Sequence, residues 1–439
     1  MSLIKSISGI RGTIGGKYGD GFNPFSIASF VMAYVTLLKK IYENNSEKIK
    51  VIVGRDARES GAATNNIVVG TLVYLGIDVI DIGLTTTPTI EMEIKRKAAS
   101  GGIMITASHN AAQWNALKLY TCKGEFISDT YMRYIITIIC AQEKNSDFFE
   151  EFAFEEELGK YEKVNDAIEN HIDEIIKLQL VDINAIKKAN FKVVIDTINS
   201  TGSLALPPLL EKLGVKKENI ITINAEANGN FAHNPEPLPE NIKEICEVIK
   251  KEKADVGFVV DPDVDRLAIV MENGEVFGEE YTLVAVADYV LSNVDVGTNN
   301  YLPNINTVSN MSSSRALKMV AEKYGAAYFA SAVGEVNVVE KMKEVSAVIG
   351  GEGNGGVIYP ELHYGRDALV GIALFLSFLG IKKKQGINTV SELRASYPNL
   401  YISKNKIELK PDTNVDALLQ KVMQKFKNIG EISNIDGVK

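Results

Sequence analysis

The sequence predicts an α/β protein of several domains built on parallel sheets. Apolar segments of strand length alternate with segments of helical period along most of the chain. At 439 residues there is length for three or four domains, each with its own core. Hydrophobic residues (46%) and charged residues (23%) stand in the balance of an ordinary folded protein, which excludes a disordered chain. The formal charge of -9 gives a field that repels nucleic acid and anionic membrane, so neither is an expected partner. Cys122, Cys140 and Cys246 are widely spaced with no CxxC, which fits neither a disulfide framework nor a thiolate zinc site. The opening MSLIKSISGIRG lacks the apolar stretch of a signal peptide, and the apolar run at 370–381 is shorter than the roughly 20 residues that span a bilayer. A cytoplasmic location is the expectation.

In chain order, Asn23-Pro24 offers an N-cap followed by proline at the first helical position, and the apolar spacing over 27–41 has helical period. KVIVG (50–54) reads as a strand, 62–75 as a helix, DVIDIG (78–83) as a strand, 88–97 as a helix, and GGIMITAS as a strand running into Ser108. The acidic stretch at 143–162 breaks the alternation and is expected to be a linker. KVVID (192–196) and VGFVV (256–260) begin a second α/β unit, with the Asn- and Pro-rich loop AEANGNFAHNPEPLPEN between them. A third runs from about Gly278 through SAVIGG (346–351) to a helix over 368–379, with KKKQG from Lys382 as its end. VIVGRDARESG, VVIDTINSTG and AVIGGEGNGG echo one another as strands running into small polar loops, which suggests three related units.

The strongest chemical motif is DPDVDR (261–266), directly after VGFVV. In an extended backbone residues at i, i+2 and i+4 point to one side, so Asp261, Asp263 and Asp265 can converge. Three close carboxylates repel unless a hard cation joins them, and oxygen-only ligands favour Mg2+. An EF-hand would need glycine where Arg266 stands. A haloacid-dehalogenase type of phosphatase, with Asp261 as nucleophile, stays open as a rival. The second motif, TASHNAAQWNALK, puts Ser108 in a polar loop with His109, Asn110, Asn115 and Lys118 nearby. No GxSxG elbow surrounds this serine, which speaks against a hydrolase triad. A phosphoryl-carrying serine needs instead donors for three oxygens, a cation and a base, and Lys118, His109 and the metal loop can supply these. SGIRG (8–12) sets Arg11 among glycines that let the backbone approach an anion closely. GGEGNGG (350–356) offers Glu352 and Asn354 to sugar hydroxyls and lacks a dinucleotide-loop context.

In combination and in this order, the four segments resemble the α-D-phosphohexomutase superfamily of phosphoglucomutases, phosphomannomutases and phosphoglucosamine mutases. The resemblance spans the chain from SGIRG to the GRDAL segment at Gly365. It implies three related α/β domains around a central cleft, with ranges 1–150, 165–277 and 278–385, plus an incomplete fourth α+β domain over 390–439. It implies a phosphoserine at Ser108, Mg2+ held by Asp261, Asp263 and Asp265 together with Ser108, and Arg266 beside the phosphoserine. Arg11 and Lys118 match residues that assist proton transfer and charge stabilisation, with His109 in the same site. Glu352 and Asn354 are expected to read sugar hydroxyls, with further substrate contacts from Gly334 and Arg366. The implied reaction interconverts hexose 1-phosphate and hexose 6-phosphate, a phosphorylated hexose or hexosamine being the partner and hexose 1,6-bisphosphate the activator.

The chain departs from the family pattern at Ala111, where proline is usual, at Ala116, where glycine is usual, and at Gly356, where many members carry histidine. The R-x-S-x-T-x-P loop that grips the non-reacting phosphate is absent, and no arginine follows Arg394. A form without this clamp is expected to keep its metal and turn over slowly, since binding energy from a remote phosphate helps lower the barrier. A catalytically impaired sugar-phosphate-binding protein is therefore the second alternative. Which hexose is used and the oligomeric state are not readable from the sequence.

Overall fold

In a computed structural model of the chain, residues 3–6, 9–17, 20–44, 47–142, 152–294, 305–400, 402 and 413–428 are described. Ser8, the linker residues 143–151, most of the strand-like stretch 401–409 and the last four residues lie outside them.

The first unit holds strands β1 (Leu3–Ser6), β2 (Gly9–Thr13), β3 (Lys50–Arg55), β4 (Asp78–Leu84), β5 (Gly101–Ile105), β6 (Trp114–Thr121) and β7 (Tyr161–Lys163) in the order β1-β2-β6-β5-β3-β4-β7. Helices α1 (Pro24–Ile41), α2 (Gly61–Tyr74), α3 (Thr87–Arg96) and α4 (Asp129–Gln142) connect them. Helix α1 starts as expected: the Asn23 side chain accepts from the N–H groups of Phe25 and Ser26, and Ser26 Oγ accepts from Asn23 N. This helix is long and apolar enough to cross a membrane, but Phe30, Val31, Val35 and Leu38 are buried in the core of the unit.

The second unit contains helices α5 (Ala167–Lys177), α6 (Ile183–Ala189), α7 (Gly202–Leu213) and α8 (Lys243–Glu252) around β8 (Val193–Asp196), β9 (Ile220–Ile223), β10 (Val256–Val260) and β11 (Leu267–Met271), ordered β11-β10-β8-β9. The third contains α9 (Glu279–Ser292), α10 (Ala316–Lys323), α11 (Glu335–Glu344) and α12 (Ala368–Lys384) with β12 (Asn306–Asn310), β13 (Ala327–Ser331), β14 (Ala347–Glu352) and β15 (Gly356–Ile358), ordered β13-β12-β14-β15. These two units share one apolar core in which Phe258 and Val260 meet Val286, Leu374 and Phe375. Beyond them stand α13 (Val390–Ala395) and α14 (Val415–Phe426).

A single four-strand plan recurs. In each unit a first strand (β3, β8, β12) lies parallel to two neighbours, and one of those turns back into an antiparallel partner: β5 into β6, β10 into β11, β14 into β15. The expected echo is therefore real but was out of step in its third member. AVIGGEGNGG is β14 with its hairpin loop, the counterpart of the Ser108 and DPDVDR loops, while the counterpart of VIVG and VVID is NTVSN in β12. The sequence hid the shift because NTVSN, although buried, carries one apolar residue in five and does not read as a core strand, whereas AVIGG does.

Arg11 of the SGIRG segment lies on a strand: β2 pairs antiparallel with β6, placing Arg11 opposite Ala116, and a Cβ on Gly9 would meet Leu117 O at 2.7 Å. Two local expectations are corrected. The acidic linker includes β7, which extends the first sheet by pairing parallel with β4. The lysines from Lys382 form the last turn of α12, where cations complement the helix dipole.

Candidate functional site

The three hairpin loops meet at the carboxyl ends of β5, β10 and β14, the edge where α/β sheets gather ligands. They surround a cavity of about 320 Å³ lined by Arg11, Ser108, His109, Lys118, Arg266, Gly334, Glu352, Asn354 and Arg366 among others.

Asp261, Asp263 and Asp265 are fully buried beneath it, each offering an oxygen within 4.8 Å of the others. Their convergence does not come from an extended backbone. The segment is a turn in which Val264 adopts a left-handed φ of 63°, a conformation costly for a β-branched residue, and the burial of its side chain in the core holds it there. Asp261 Oδ1 accepts from the N–H groups of Asp265 and Arg266, both at 3.1 Å, and Asp261 Oδ2 accepts from Ser108 Oγ at 2.8 Å. Burial first, and then the neighbouring Asp265 and Asp263, push the Asp261 carboxyl well above the usual range. Burial also works against the charge of Asp265, yet Arg366, Lys118 and Arg266 outweigh it and hold that carboxyl below its usual range. Asp263 Oδ1 and Asp265 Oδ1 are buried with no hydrogen-bond partner. An all-oxygen donor set with two orphaned carboxylate oxygens fits a hard divalent cation.

Lys118 Nζ donates to Asp263 Oδ2 (2.7 Å), Asp265 Oδ2 (3.1 Å) and Thr87 Oγ1 (3.3 Å). Burial disfavours its charge, but Asp263 and Asp265 prevail and raise its pKa above the ordinary value. Thr87 also ties the first unit to the metal turn, its N–H bonded to Asp263 O at 2.8 Å and its hydroxyl to Asp263 Oδ2 at 2.5 Å. Arg366 spans the cluster: Nη2 to Asp265 Oδ2 (2.7 Å), Nη1 to Glu352 Oε2 (2.8 Å), Nε to Glu335 Oε2 (3.0 Å). Glu352 Oε1 takes a bond from Asn310, so both its oxygens are engaged within the protein. Arg11 Nε and Arg266 Nε have no hydrogen-bond partner, leaving donors available for an anion. His109 Nδ1 lies 3.4 Å from Ser108 Oγ; burial and the charge of Arg266 lower its pKa to about 3, so the ring is neutral at physiological pH.

Ser108 has a left-handed φ of 47°. What holds it is Arg58, which the motif reading missed. Its side chain is 1% exposed, with Nη2 donating to the carbonyls of Ser108 and Asn110 (both 2.6 Å), Nη1 to those of Ala111 (2.8 Å) and Trp114 (3.0 Å), and Nε to Asp56 Oδ2 (3.1 Å). Asp56 also accepts from Thr106, whose hydroxyl takes the Ser108 N–H. The substitution at Ala111 is thus absorbed in a loop clamped through its backbone. The available signal was RDAR, which begins at the last residue of β3, an acid and a base two residues apart at a strand's carboxyl end. Glu335, next to the expected Gly334, was missed for the same reason: it acts through another side chain. Asn115 bonds Ser60 and packs the loop.

Gly356 also has a local reason. A Cβ there would stand 2.4 Å from Arg366 Cδ and 3.2 Å from Asn354 Oδ1, so Arg366 fills the space a larger residue would need.

Comparison with known proteins gives consistent matches. Models of the phosphoglucomutase/phosphomannomutase alpha/beta/alpha domains I, II and III match residues 3–146, 169–274 and 279–401. A phosphoglucomutase/phosphomannomutase of Thermococcus kodakarensis is 33% identical over 447 aligned residues, covering 100% of this chain and 90% of its own. A phosphoglucosamine/phosphogalactosamine mutase of Sulfurisphaera tokodaii is 32% identical over 89% of this chain and 82% of its own. The crystal structure of a phosphoglucomutase/phosphomannomutase family protein from Burkholderia thailandensis superposes with a TM-score of 0.79 at 24% identity, covering 99% of this chain and 88% of its own.

Proposed function

The chain belongs to the phosphoglucomutase/phosphomannomutase family, and on that premise we propose that it interconverts hexose 1-phosphate and hexose 6-phosphate through a phosphoserine at Ser108 and a bisphosphorylated sugar. It is an intramolecular phosphotransferase. The observation that carries the reading is Ser108 Oγ, 2.8 Å from one carboxylate of a buried aspartate triad and at the junction of all three hairpin loops.

In this reading a sugar hydroxyl attacks the phosphorus of phospho-Ser108; the new P–O bond to the sugar forms as the bond to Ser108 Oγ breaks, and the electron pair stays on Oγ. The hydroxyl proton goes to His109 Nδ1, whose neutrality leaves it able to accept, and the dianionic phosphoryl group beside it counters the depression of its pKa. Lys118 remains charged and fixes Asp263 and Asp265, while the free donors of Arg11 and Arg266 face the spreading charge of the transferred group. Asp261, Asp263 and Asp265 would hold Mg2+, which when bound supplies positive charge to the phosphoryl oxygens. The bisphosphorylated sugar turns over, and its other phosphate returns to Ser108. Asn354 and Gly334 line the space for the sugar, with Arg366 holding Glu352 and Glu335 in place.

The two relatives act on sugars that differ at the 2-position, glucose or mannose in one and hexosamines in the other, so the substrate panel spans both. The test is a coupled assay of glucose, mannose and glucosamine 1-phosphates with Mg2+ and the matching bisphosphate. Conversion of at least one, abolished in Ser108→Ala, is expected. Hydrolysis that survives Ser108→Ala would point to Asp261 as a phosphatase nucleophile, a role its fully bonded oxygens speak against. Binding without conversion would leave the impaired binding protein.

A further inference from the structure

We propose that His171, His363 and Asp367, backed by Glu91, form a second divalent-cation site, of the imidazole–carboxylate class that takes Zn2+, distinct from the aspartate turn and buried where elements of all three units meet. His171 is on α5, Glu91 on α3, and His363 and Asp367 directly precede α12. Within this cluster His171 is 1% exposed, His363 3%, Asp367 0% and Glu91 1%.

Two of the three donor spacings match those of a zinc shell, the same contacts serving as hydrogen bonds when no ion is bound. His171 Nε2 and His363 Nε2 lie 3.0 and 3.3 Å from the same atom, Asp367 Oδ2, and one donor from each of the three residues falls within 4.8 Å of the others. Tetrahedral ligands at zinc distances stand about 3.3 Å from one another. The far side of two ligands is already tied down, as ligating residues require. His171 Nδ1 is 3.0 Å from Thr89 Oγ1, and Asp367 Oδ1 accepts from the N–H groups of Leu369 (2.7 Å) and Val370 (3.3 Å), capping α12.

The independent observation is Glu91. Neither of its oxygens has a hydrogen-bond partner, although the residue is buried; His363 Nδ1 lies 3.1 Å away, out of line for a hydrogen bond, and is itself unpartnered. Two carboxylates and two neutral imidazoles carry a charge of -2, which a divalent cation cancels. Nitrogen donors select zinc over magnesium. Such an ion would staple three segments that the hexose-phosphate chemistry does not otherwise join, including the residue next to Arg366.

The test uses the full chain expressed with zinc and dialysed against excess Mg2+, so that the aspartate turn is occupied by Mg2+. Elemental analysis is expected to find about one zinc per chain in the wild type and in Asp263→Asn, and at least tenfold less in His171→Gln/His363→Gln. X-ray absorption at the zinc edge is expected to show two imidazoles. If the double variant fails to fold, that spectrum decides: imidazole ligation supports the site and an oxygen-only shell overturns it. No retained zinc in the wild type, or equal retention in the folded double variant, also overturns it. None of these readouts depends on mutase activity.

Discussion

Replacing Arg58 tests whether the serine loop is held by one guanidinium. Arg58→Met keeps the apolar stem but removes every donor, leaving four loop carbonyls and the buried Asp56 without their partner. Removing one member of a buried ion pair costs about 3–5 kcal/mol, a large share of a typical stability of about 5–15 kcal/mol. The side chain is 1% exposed, so water cannot substitute without opening the loop. Arg58→Lys separates charge from geometry: an ammonium keeps the pair with Asp56 but cannot match a planar fork aimed at four carbonyls. Urea unfolding is expected to show that Arg58→Lys recovers part of the stability lost in Arg58→Met. Turnover of hexose 1-phosphate is expected to stay down about 100-fold in both, the cost of moving a reacting atom by about 1 Å. If Arg58→Lys turns over within about threefold of the wild type, the clamp does not position Ser108 and the reasoning fails.

Gly356→Ala should push Arg366 away from Asp265, Glu335 and Glu352, costing about 1–3 kcal/mol of stability and raising KM about tenfold; a KM within twofold of the wild type speaks against the crowding seen at Arg366 Cδ. Mg2+ at about 100 times its Kd should stabilise the wild type by about 2.7 kcal/mol in thermal melts, and Asp263→Asn should lose most of that gain; equal responses would remove the aspartate turn as the magnesium site. His233 gives a pH dependence: burial opposes its charge, but the bond to Asp196 Oδ2 at 3.0 Å prevails and raises its pKa above the ordinary 6.5. Its stabilisation is fully present below about pH 6.5 and lost as pH rises through the higher folded value. Hydrogen exchange in the loop at 228–236 should therefore speed up above neutrality in the wild type and lose that step in His233→Gln.

Residues proposed for the site announced themselves along the chain. Ser108, the three aspartates, Glu352 and Asn354 lie in short polar runs at strand ends, because a loop at a sheet's carboxyl edge has to present its chemistry within a few residues, and Lys118 stands as the one charged residue within β6. The helix start at Asn23 and the repeated strand-helix order were equally open to reading, since capping and amphipathic period are local. Arg58, Glu335 and Thr87 were not, because each acts on atoms far away in the sequence: Arg58 on carbonyls 50 to 56 residues on, Thr87 on an aspartate 176 residues on. The turn at Val264 was misread as extended because a left-handed β-branched residue is tolerated only where packing enforces it, and that packing comes from the shared core of two units.

Local order along the chain was enough to name β3, β4, β5, β8, β10 and β14, the loops that follow them and the kind of chemistry they carry, because propensity, capping and motif spacing act over a few residues. The shift in the third repeat, the strand hidden in the acidic linker and the joining of Glu91, His171, His363 and Asp367 arise from sheet pairing and from packing between units. Those contacts connect residues by distance in space, for which nearness in sequence offers no guide.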